Sequence, residues 1–380
     1  NVPLGNRVVN GCVLSVDHPK DESQKYKCKE VVSVDEIGIH LTQEDLNLFS
    51  WIAKYYHYSI GSLIFDCLPK FLKRPRPFKI LNGQNKKLPF DMNPKQQDIY
   101  EQISSQLEKG FFKNYIHGVT GSGKTIIYLN MMFEVIKKGK SVLFLLPEIN
   151  LTPQFIQTFE DYLDCPILSY HSGVNNSEKY NVWKYLKETT KPVVVLGVRS
   201  SVFLPLKNLG LVIIDEEHDS SFKQTDRCPY NGRDVAIKKA QLSNAAVILG
   251  SATPATENYF NYREDNKLNN YFKIEERAVG SFPDVELIDC RTSEKLQEDY
   301  WPLANESIQE IRNSLEKKEQ VLILVNRLGF ASFVQCYACG HQFTDPNTGV
   351  NLRYFKKKNI LVSAYSDYQI PLPEICPECG

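Results

Sequence analysis

The sequence lacks the long apolar runs of a membrane protein. Its longest apolar stretches, such as Val142–Leu146 and Leu211–Ile214, are no longer than a buried strand, whereas a membrane-spanning helix needs about 18 or more apolar residues in succession. The first residues also lack the charged and then apolar pattern of a signal peptide. We therefore expect a cytoplasmic protein with no membrane partner.

An excess of charge of either sign is missing as well. The 380 residues include 45 basic and 45 acidic side chains, and 42% of all residues are hydrophobic. That hydrophobic fraction supports a sizeable core and argues against a disordered chain. A net charge of zero gives no overall attraction to nucleic acid but leaves room for local basic faces, such as residues 70–87, which carry seven Lys or Arg and no acid.

Helices and strands alternate from residue 93 onward, which predicts an α/β fold. The strand-like runs are Tyr115–Ile116, Ser141–Leu146, Val193–Leu196, Leu211–Ile214 and Ala246–Leu249. The predicted helices cover about 94–108, 124–138, 153–163, 176–189 and 232–241. This alternation is typical of a parallel sheet covered by helices on both faces. Such sheets bind ligands at the carboxyl ends of their strands.

The flanking residues are less regular. Residues 1–40 contain short strand-like runs, and residues 43–72 have apolar side chains at helical spacing. A predicted helix at 303–317 leads into a predicted strand at Val321–Val325. This pair would begin a second α/β unit.

Residues 118–125 match the phosphate-loop pattern G-x-x-x-x-G-K-[ST] between a predicted strand and a predicted helix. Backbone N–H groups of such a loop turn inward around phosphates, and the helix N-terminus adds a partial positive charge. We expect Lys124 to reach the β- and γ-phosphates of ATP and Thr125 to bind Mg²⁺. The predicted ATP-binding residues here are Gly118, Thr120, Gly121, Ser122, Gly123, Lys124 and Thr125.

The apolar run Leu211–Ile214 ends in an acidic segment, D-E-E-H at 215–218. Asp215 would lie at the carboxyl end of a strand and hold Mg²⁺ through water. Glu216 would orient and deprotonate the attacking water. Alone, such a segment could equally be a solvated turn, but after a phosphate loop it predicts catalytic residues, with Lys124 as the third.

Two short motifs indicate a class of nucleotide-driven motor. The segment D-E-x-H resembles the second motif of superfamily 2 helicases and translocases, and S-A-T at 251–253 matches another motif of that superfamily. In those proteins S-A-T couples the ATP site to nucleic acid. The resemblance therefore implies coupling roles for His218, Ser251 and Thr253.

Several longer segments match one family more closely. They are Leu146–Gln154, His171–Gly173, Gly197–Phe203, Asn208–Gly210, Asp215–Gln224, Gly232–Ala236, Gly250–Pro254 and Asn326–Phe330. These segments resemble the primosomal replication-restart helicases of bacteria, and the block D-E-E-H-D-S-S is specific to that family. The resemblance covers nearly the whole chain. It implies an ATP-dependent 3′→5′ DNA helicase of the nucleoid that acts on single-stranded and forked DNA with primosome proteins and single-strand-binding protein.

The resemblance also implies DNA contacts beside the ATP site. The loop Ser220–Arg233 directly follows the acids and carries aromatic and basic side chains, which suit bases and phosphates. The implied DNA-binding residues are Thr152, Arg199, Phe222, Lys223, Arg227, Tyr230 and Arg233. Gln96 resembles the glutamine with which the family reads adenine. The alternatives are an ordinary surface loop and a solvated glutamine.

The family's organisation implies boundaries for this chain. The implied parts are a partial DNA 3′-end-binding domain at 1–72, a basic linker in place of a winged-helix domain at 73–91, the ATP-binding lobe at 92–300, the start of a second lobe at 301–335 and a cysteine region at 336–380. Both ends look cut, and the second-lobe arginines are absent. Because such an arginine is worth about 10³–10⁵ in rate, we expect the chain alone to bind ATP and DNA, hydrolyse ATP poorly and not unwind DNA.

Four of the ten cysteines form two C-x-x-C pairs, Cys336/Cys339 and Cys376/Cys379. Two such pairs are typical of a closed tetrahedral zinc site in a reducing compartment. The family has four more cysteines between the pairs, which bind a second zinc. Their positions here hold Asp345, Thr348, Ser363 and Ser366. Serine is a poor zinc ligand, so we predict one Zn²⁺, with four free thiols as the alternative.

Two other functions remain open. One is a non-catalytic DNA-binding or primosome scaffold with a relict ATP site, against which the intact Lys124, Asp215 and Glu216 argue. The other is a different superfamily 2 translocase, against which the cysteine pairs and the D-E-E-H-D-S-S block argue.

Overall fold

The computed structural model of the chain describes residues 1–4, 6–14, 29–34, 40–69, 80–84, 91–150, 152–263, 269–288, 303–324, 330–336 and 338–380. They divide into two compact units, Asn1–Pro283 and Asp284–Gly380. Most of the predicted basic linker and of the segment Asn326–Phe330 lies outside the described ranges. Within those ranges, no helix is long and apolar enough to cross a membrane.

The first unit opens with an antiparallel hairpin of β1 (Val2–Leu4) and β2 (Arg7–Val9). The other strand-like runs expected before residue 40 are not strands where they are described, since Val13, Leu14 and residues 31–34 are exposed and irregular. A short apolar run needs a neighbouring strand to be stable in water. Among the described residues, none pairs with these runs as a strand.

Two helices follow the hairpin, α1 (Gln43–Tyr55) and α2 (Ile60–Cys67). The helical spacing noted over 43–72 thus corresponds to two helices. The chain turns between the two helices, where His57 has a φ of 51°. The left-handed backbone at this residue cannot continue a right-handed helix.

An eight-stranded sheet organises the rest of the first unit. Its strands are β3 (Leu81–Asn82), β4 (Lys113–Gly118), β5 (Ser141–Leu145), β6 (Pro166–Tyr170), β7 (Val194–Gly197), β8 (Leu209–Asp215), β9 (Ala246–Ser251) and β10 (Asn269–Ile274). Their spatial order is β10-β4-β9-β8-β5-β7-β6-β3. All neighbours are parallel except β3 and β6. The predicted α/β fold is confirmed.

The core lies on both faces of this sheet. Along β5, Leu143 and Leu145 belong to one hydrophobic cluster, and Val142 and Phe144 belong to the other. All four side chains are fully buried, and each such burial contributes roughly 1.5–3 kcal/mol. Burial on both faces explains why these strands are continuous apolar runs rather than alternating ones.

Helices cover the two faces. They are α3 (Pro94–Ser104), α4 (Lys124–Lys137), α5 (Pro153–Tyr162), α6 (Asn176–Glu188), α7 (Gly232–Leu242) and α8 (Thr256–Arg263). Asn93, Thr152 and Asn175 begin three of them as N-caps, each accepting a hydrogen bond from a backbone N–H in the first turn. The helix expected over 94–108 ends at Ser104, and a 3-10 turn, Leu107–Lys109, follows it.

The second unit contains α9 (Asn305–Glu316) and a three-stranded antiparallel sheet of β11 (Arg353–Phe355), β12 (Ile360–Val362) and β13 (Gln369–Pro371). The strand expected at Val321–Val325 is wrong over its described part. Residues 321–324 have no regular structure, and Leu322 is 95% exposed. An apolar run forms a buried strand only when other elements cover it, and none of the described residues covers this one.

Candidate nucleotide and metal sites

Adjacent parallel strands bring the predicted site segments to one edge of the sheet. The strands β4, β9, β8, β5 and β7 are neighbours in that order and run in the same direction, so their carboxyl ends share an edge. At or just after those ends stand Lys124, Ser251, Asp215, Thr152 and Arg199, respectively.

The turn between β4 and α4 has the shape of a phosphate-binding loop. Gly121 and Gly123 have φ values of 78° and 76°, a left-handed backbone that glycine adopts without strain. Lys124 Nζ donates to the carbonyl of Gly118 at 2.8 Å. Ser122 Oγ is buried and has no hydrogen-bond partner among the described residues. A loop with a spare buried hydroxyl and a lysine folded back on it fits an added acceptor such as phosphate.

Gln96 supports this loop from α3. Its side-chain amide donates to the carbonyl of Ser122 at 2.9 Å, and its side-chain oxygen accepts from the backbone N–H of Asn93 at 2.8 Å. Only 3% of the residue is exposed, so the interpretation as a solvated glutamine is wrong. Its predicted contact with adenine stays a prediction.

The acids at the end of β8 have unusual surroundings. Burial and the neighbouring Glu216 raise the pKa of Asp215 to about 6, and the Tyr128 hydroxyl donates to Asp215 Oδ1 at 3.1 Å. Glu216 has a φ of 47°. A left-handed non-glycine residue costs about 1–3 kcal/mol, and such strain is concentrated at functional sites. Asp215 and Thr125 are the residues that would hold Mg²⁺.

The three predicted coupling residues lie together. His218 Nδ1 is 2.8 Å from Ser251 Oγ and 3.6 Å from a carboxylate oxygen of Glu216. His218 Nε2 is 3.3 Å from Thr253 Oγ1, and the Thr253 N–H donates to Ser251 Oγ at 3.0 Å. One imidazole therefore bridges the acidic segment after β8 and the S-A-T segment after β9.

The expected DNA-binding residues divide into two groups. Lys223 and Arg227 are exposed, and Arg199 donates to the carbonyls of Ser221 and Lys223 at 3.1 and 3.0 Å. Arg199 thus fixes the loop 220–233 to the end of β7. Thr152 is the N-cap of α5, where it accepts from a backbone N–H.

The second group corrects the expectation, because its side chains are buried. Phe222 and Tyr230 are only 2% and 3% exposed and belong to the hydrophobic core. Their rings are therefore unavailable for stacking on bases in this structure. Arg233 is 9% exposed and donates to Glu217 at 2.9 Å, so it too is an internal residue.

Two further features of this edge could not be predicted from the sequence. The Ala278 N–H donates to the carbonyl of Gly121 at 2.8 Å, and Arg277 Nε is buried without a hydrogen-bond partner among the described residues. This segment follows β10, far from the phosphate loop in sequence, so only the fold brings them together. The other feature is Glu217, which the D-E-x-H pattern leaves unspecified.

In the second unit, the two C-x-x-C pairs converge. The four Sγ atoms lie within 4.8 Å of one another, with Cys336–Cys379 and Cys339–Cys376 both at 3.6 Å. A tetrahedral zinc with Zn–S bonds of about 2.3 Å separates its sulfurs by about 3.8 Å. Backbone N–H groups of Cys339 and Ala338 lower the pKa of the Cys336 thiol. This donor set fits a structural zinc ion.

The four polar residues between the cysteine pairs, Asp345, Thr348, Ser363 and Ser366, form a different cluster. Asp345 is fully buried, and its Oδ2 accepts from the hydroxyls of Ser363 and Ser366, both at 2.6 Å. Its Oδ1 accepts from the backbone N–H of Asn347 at 2.8 Å. These hydrogen bonds hold the pKa of Asp345 well below its ordinary value. One carboxylate whose oxygens accept hydrogen bonds from hydroxyl and N–H donors does not provide the four Cys or His ligands of a structural zinc site, so this cluster does not fit zinc.

The parallel sheet, the phosphate loop and the segments at its edge define a P-loop lobe of the helicase class. The model "Type III restriction enzyme, res subunit" matches residues 89–256, and a "3'DNA-binding domain (3'BD)" model matches residues 1–69. The chain is 34% identical to the replication restart protein PriA of Rickettsia prowazekii over 100% of its own length and 57% of the relative's. It is 35% identical to that of Bacillus subtilis over 77% and 36% of the two lengths. The chain belongs to the PriA family.

The chain spans 57% of the length of the Rickettsia relative. Among solved structures, RecG bound to a three-way DNA junction has 18% identity and a TM-score of 0.36, over 60% of this chain and 30% of RecG. That TM-score is too low to add to the assignment.

Proposed function

We propose that this chain is part of a replication-restart helicase and couples Mg-ATP hydrolysis to 3′→5′ movement on single-stranded DNA. The observation that carries the proposal is the imidazole of His218, which contacts Glu216, Ser251 and Thr253 within 3.6 Å at one sheet edge. A link between hydrolytic acids and an S-A-T segment has no use in a protein that only binds DNA. The names of the relatives support replication restart as the process.

The proposed hydrolysis assigns one role to each residue. Lys124 would leave the Gly118 carbonyl and bind the β- and γ-phosphates, and Thr125 and Asp215 would hold Mg²⁺. Bound Mg²⁺ would offset charge on the phosphates. Glu216 orients the attacking water and accepts its proton. Gln96 positions the phosphate loop through its hydrogen bond to the carbonyl of Ser122 and would contact adenine.

The DNA-binding surface that we propose is the exposed part of the loop 220–233. Lys223 and Arg227 present cations to solvent, which suits phosphates, and Arg199 anchors the loop. We propose forked DNA, primosome proteins and single-strand-binding protein as partners in the cytoplasm. These partners rest on the family resemblance.

ATP turnover with and without single-stranded DNA tests this function. We expect DNA to increase turnover and Lys124→Ala to abolish it while leaving DNA binding intact. Because the resemblance puts the completing arginines in a second lobe, we propose slow turnover and no unwinding by the 380 residues alone. ATP turnover that single-stranded DNA does not increase would favour the non-catalytic scaffold. Efficient unwinding by these 380 residues would contradict the proposed need for a second lobe.

We also propose one structural zinc ion, bound by Cys336, Cys339, Cys376 and Cys379. Metal analysis of the purified chain is expected to give one zinc per chain. Two zinc ions per chain would contradict the proposal.

A further inference from the structure

Glu217 has no part in the proposed hydrolysis, yet its carboxylate is completely enclosed. Its side chain is 0% exposed, and a buried charge costs several kcal/mol unless it is paired and hydrogen-bonded. Oε1 accepts from the Tyr115 hydroxyl at 2.6 Å and from the Ala255 N–H at 3.0 Å. Oε2 accepts from Arg233 at 2.9 Å and from the side-chain amide of Asn258.

The donors come from different parts of the nucleotide edge. Tyr115 lies on β4, before the phosphate loop, and Arg233 lies in the first turn of α7, where the loop 220–233 ends. Ala255 and Asn258 follow the S-A-T segment within a few residues. The backbone N–H of Glu217 also donates to the carbonyl of Gly250 at 3.1 Å. The Glu217 carboxylate thus links the loop 220–233, which we propose binds DNA, to the S-A-T segment and to the acidic segment that contains Glu216.

Arg233 is built into this junction rather than presented to solvent. Besides Glu217, its guanidinium contacts Asp234 at 3.1 Å and Glu257 at 3.9 Å. A DNA phosphate would have to displace Glu217 to reach this guanidinium, and breaking a buried ion pair is strongly unfavourable. Lys223 of the same loop is exposed and needs no such exchange, and the exposed Arg227 has only a partly exposed partner, Asp66 at 3.5 Å.

We propose that Glu217 and Arg233 are a positioning pair that transmits DNA binding at the loop 220–233 to the nucleotide site. The inference rests on the proposed function, since it needs a chain that binds both ligands. Movement of the loop displaces Arg233, and Glu217 carries that displacement to Glu216 and to the segment after β9. Coupling of this kind is reciprocal, so nucleotide must change the affinity for DNA by the same factor.

The test measures the affinity for a fluorescent single-stranded oligonucleotide with and without a non-hydrolysable ATP analogue and Mg²⁺. We expect nucleotide to change the affinity of the unaltered chain by about fivefold or more, the lower end of typical coupling. Glu217→Gln and Arg233→Met are each expected to reduce that factor to less than about twofold, and the double variant to reduce it no further, because the two residues act as one unit.

Glu257→Gln is the matched control. It makes the same chemical change beside the same arginine, but Glu257 is 67% exposed and 3.9 Å away, so the coupling factor should persist. Thermal unfolding verifies that each variant is folded. If Glu217→Gln does not fold, Arg233→Lys replaces it, since lysine keeps the charge but loses the planar guanidinium. That variant is also expected to reduce the coupling factor.

Each other outcome overturns the inference in a recognisable way. Binding of both ligands by the unaltered chain without coupling refutes the pair and leaves the proposed function standing, as does full coupling in folded Glu217→Gln. Loss of DNA affinity in Arg233→Met with and without nucleotide, with a salt slope reduced by about one, would make Arg233 a phosphate ligand instead. A chain that binds neither ligand refutes the function itself.

Discussion

The second unit contains two clusters with the same sequence spacing and different chemistry. Each cluster combines two pairs of residues, and the members of a pair are separated by two other residues. One cluster has two C-x-x-C pairs, and the other has Asp345-x-x-Thr348 and Ser363-x-x-Ser366. In the first, four sulfurs surround a space of the size of a zinc ion. In the second, two serine hydroxyls donate to one buried carboxylate. The same sequence spacing can therefore serve a set of cation ligands or an internal anion with its donors.

The two clusters differ in whether they depend on a bound ion. Thiolates close together repel unless a metal is bound, so the cysteine cluster would need a metal ion, zinc in our proposal, to hold four deprotonated thiols together. The Asp345 cluster needs only its own side chains, because hydroxyl and backbone N–H donors satisfy the buried carboxylate. It also adjoins the small hydrophobic core of Phe343, Leu352 and Leu361 in sequence.

Zinc removal should have the largest effect and should affect one cluster only. Structural zinc contributes about 10–16 kcal/mol in zinc-finger peptides. With a strong chelator, or in Cys376→Ala, we expect hydrogen exchange to accelerate at residues 336–341 and 374–380, while exchange at β11, β12 and β13 changes little. Cys12→Ala, which alters a thiol outside the cluster, is the control. Equal loss of protection in both regions would show that they are not independent.

Asp345→Asn should have the next largest effect, and that effect should fall on the small sheet instead of the cysteine cluster. Asparagine keeps the size of the side chain but removes the charge, and it directs an N–H₂ group at donors that need an acceptor. We expect faster hydrogen exchange at β12 and β13 with zinc content unchanged. Loss of the bound zinc in this variant, or unaltered hydrogen exchange in the small sheet, would contradict the independence of the two clusters.

Removing one hydroxyl should cost less than removing the carboxylate. Ser363→Ala and Ser366→Ala each delete one donor to Asp345, and a hydrogen bond to a charged group contributes about 1.5–3 kcal/mol. Chemical denaturation of each variant should show a loss of at most that size. Combined with Asp345→Asn, either change should add little. Thr348→Ala removes a further hydroxyl that hydrogen-bonds to Asp345 and should behave in the same way. Full additivity would mean that the hydroxyls act elsewhere.

The sequence predicted the parts of the fold and site that depend on local pattern. The phosphate loop and the strands that carry Asp215 and Ser251 were recognisable because glycine spacing and continuous apolar runs are local properties. Phe222 was misassigned because an aromatic side chain suits a base and a core equally, and only tertiary packing decides between them. The contacts of Glu217 were inaccessible for the same reason, since Tyr115 is 102 residues away in sequence.

Mild acid should have the smallest effect on the stability of the Asp345 cluster. This cluster should be destabilised only at a lower pH than the one at which the cysteine cluster releases zinc. The folded pKa of Asp345 lies below its unfolded value, which is about 3.9. Its stabilising contribution is therefore complete above about pH 4 and is lost only as the pH falls through the folded pKa. Zinc is released earlier, because the thiolates bind protons at a higher pH. The stability difference between the unaltered chain and Asp345→Asn should stay constant from pH 7 to about pH 5 and shrink below pH 4. A difference that already disappears between pH 7 and 5 would mean that Asp345 is not held as a carboxylate by its serines.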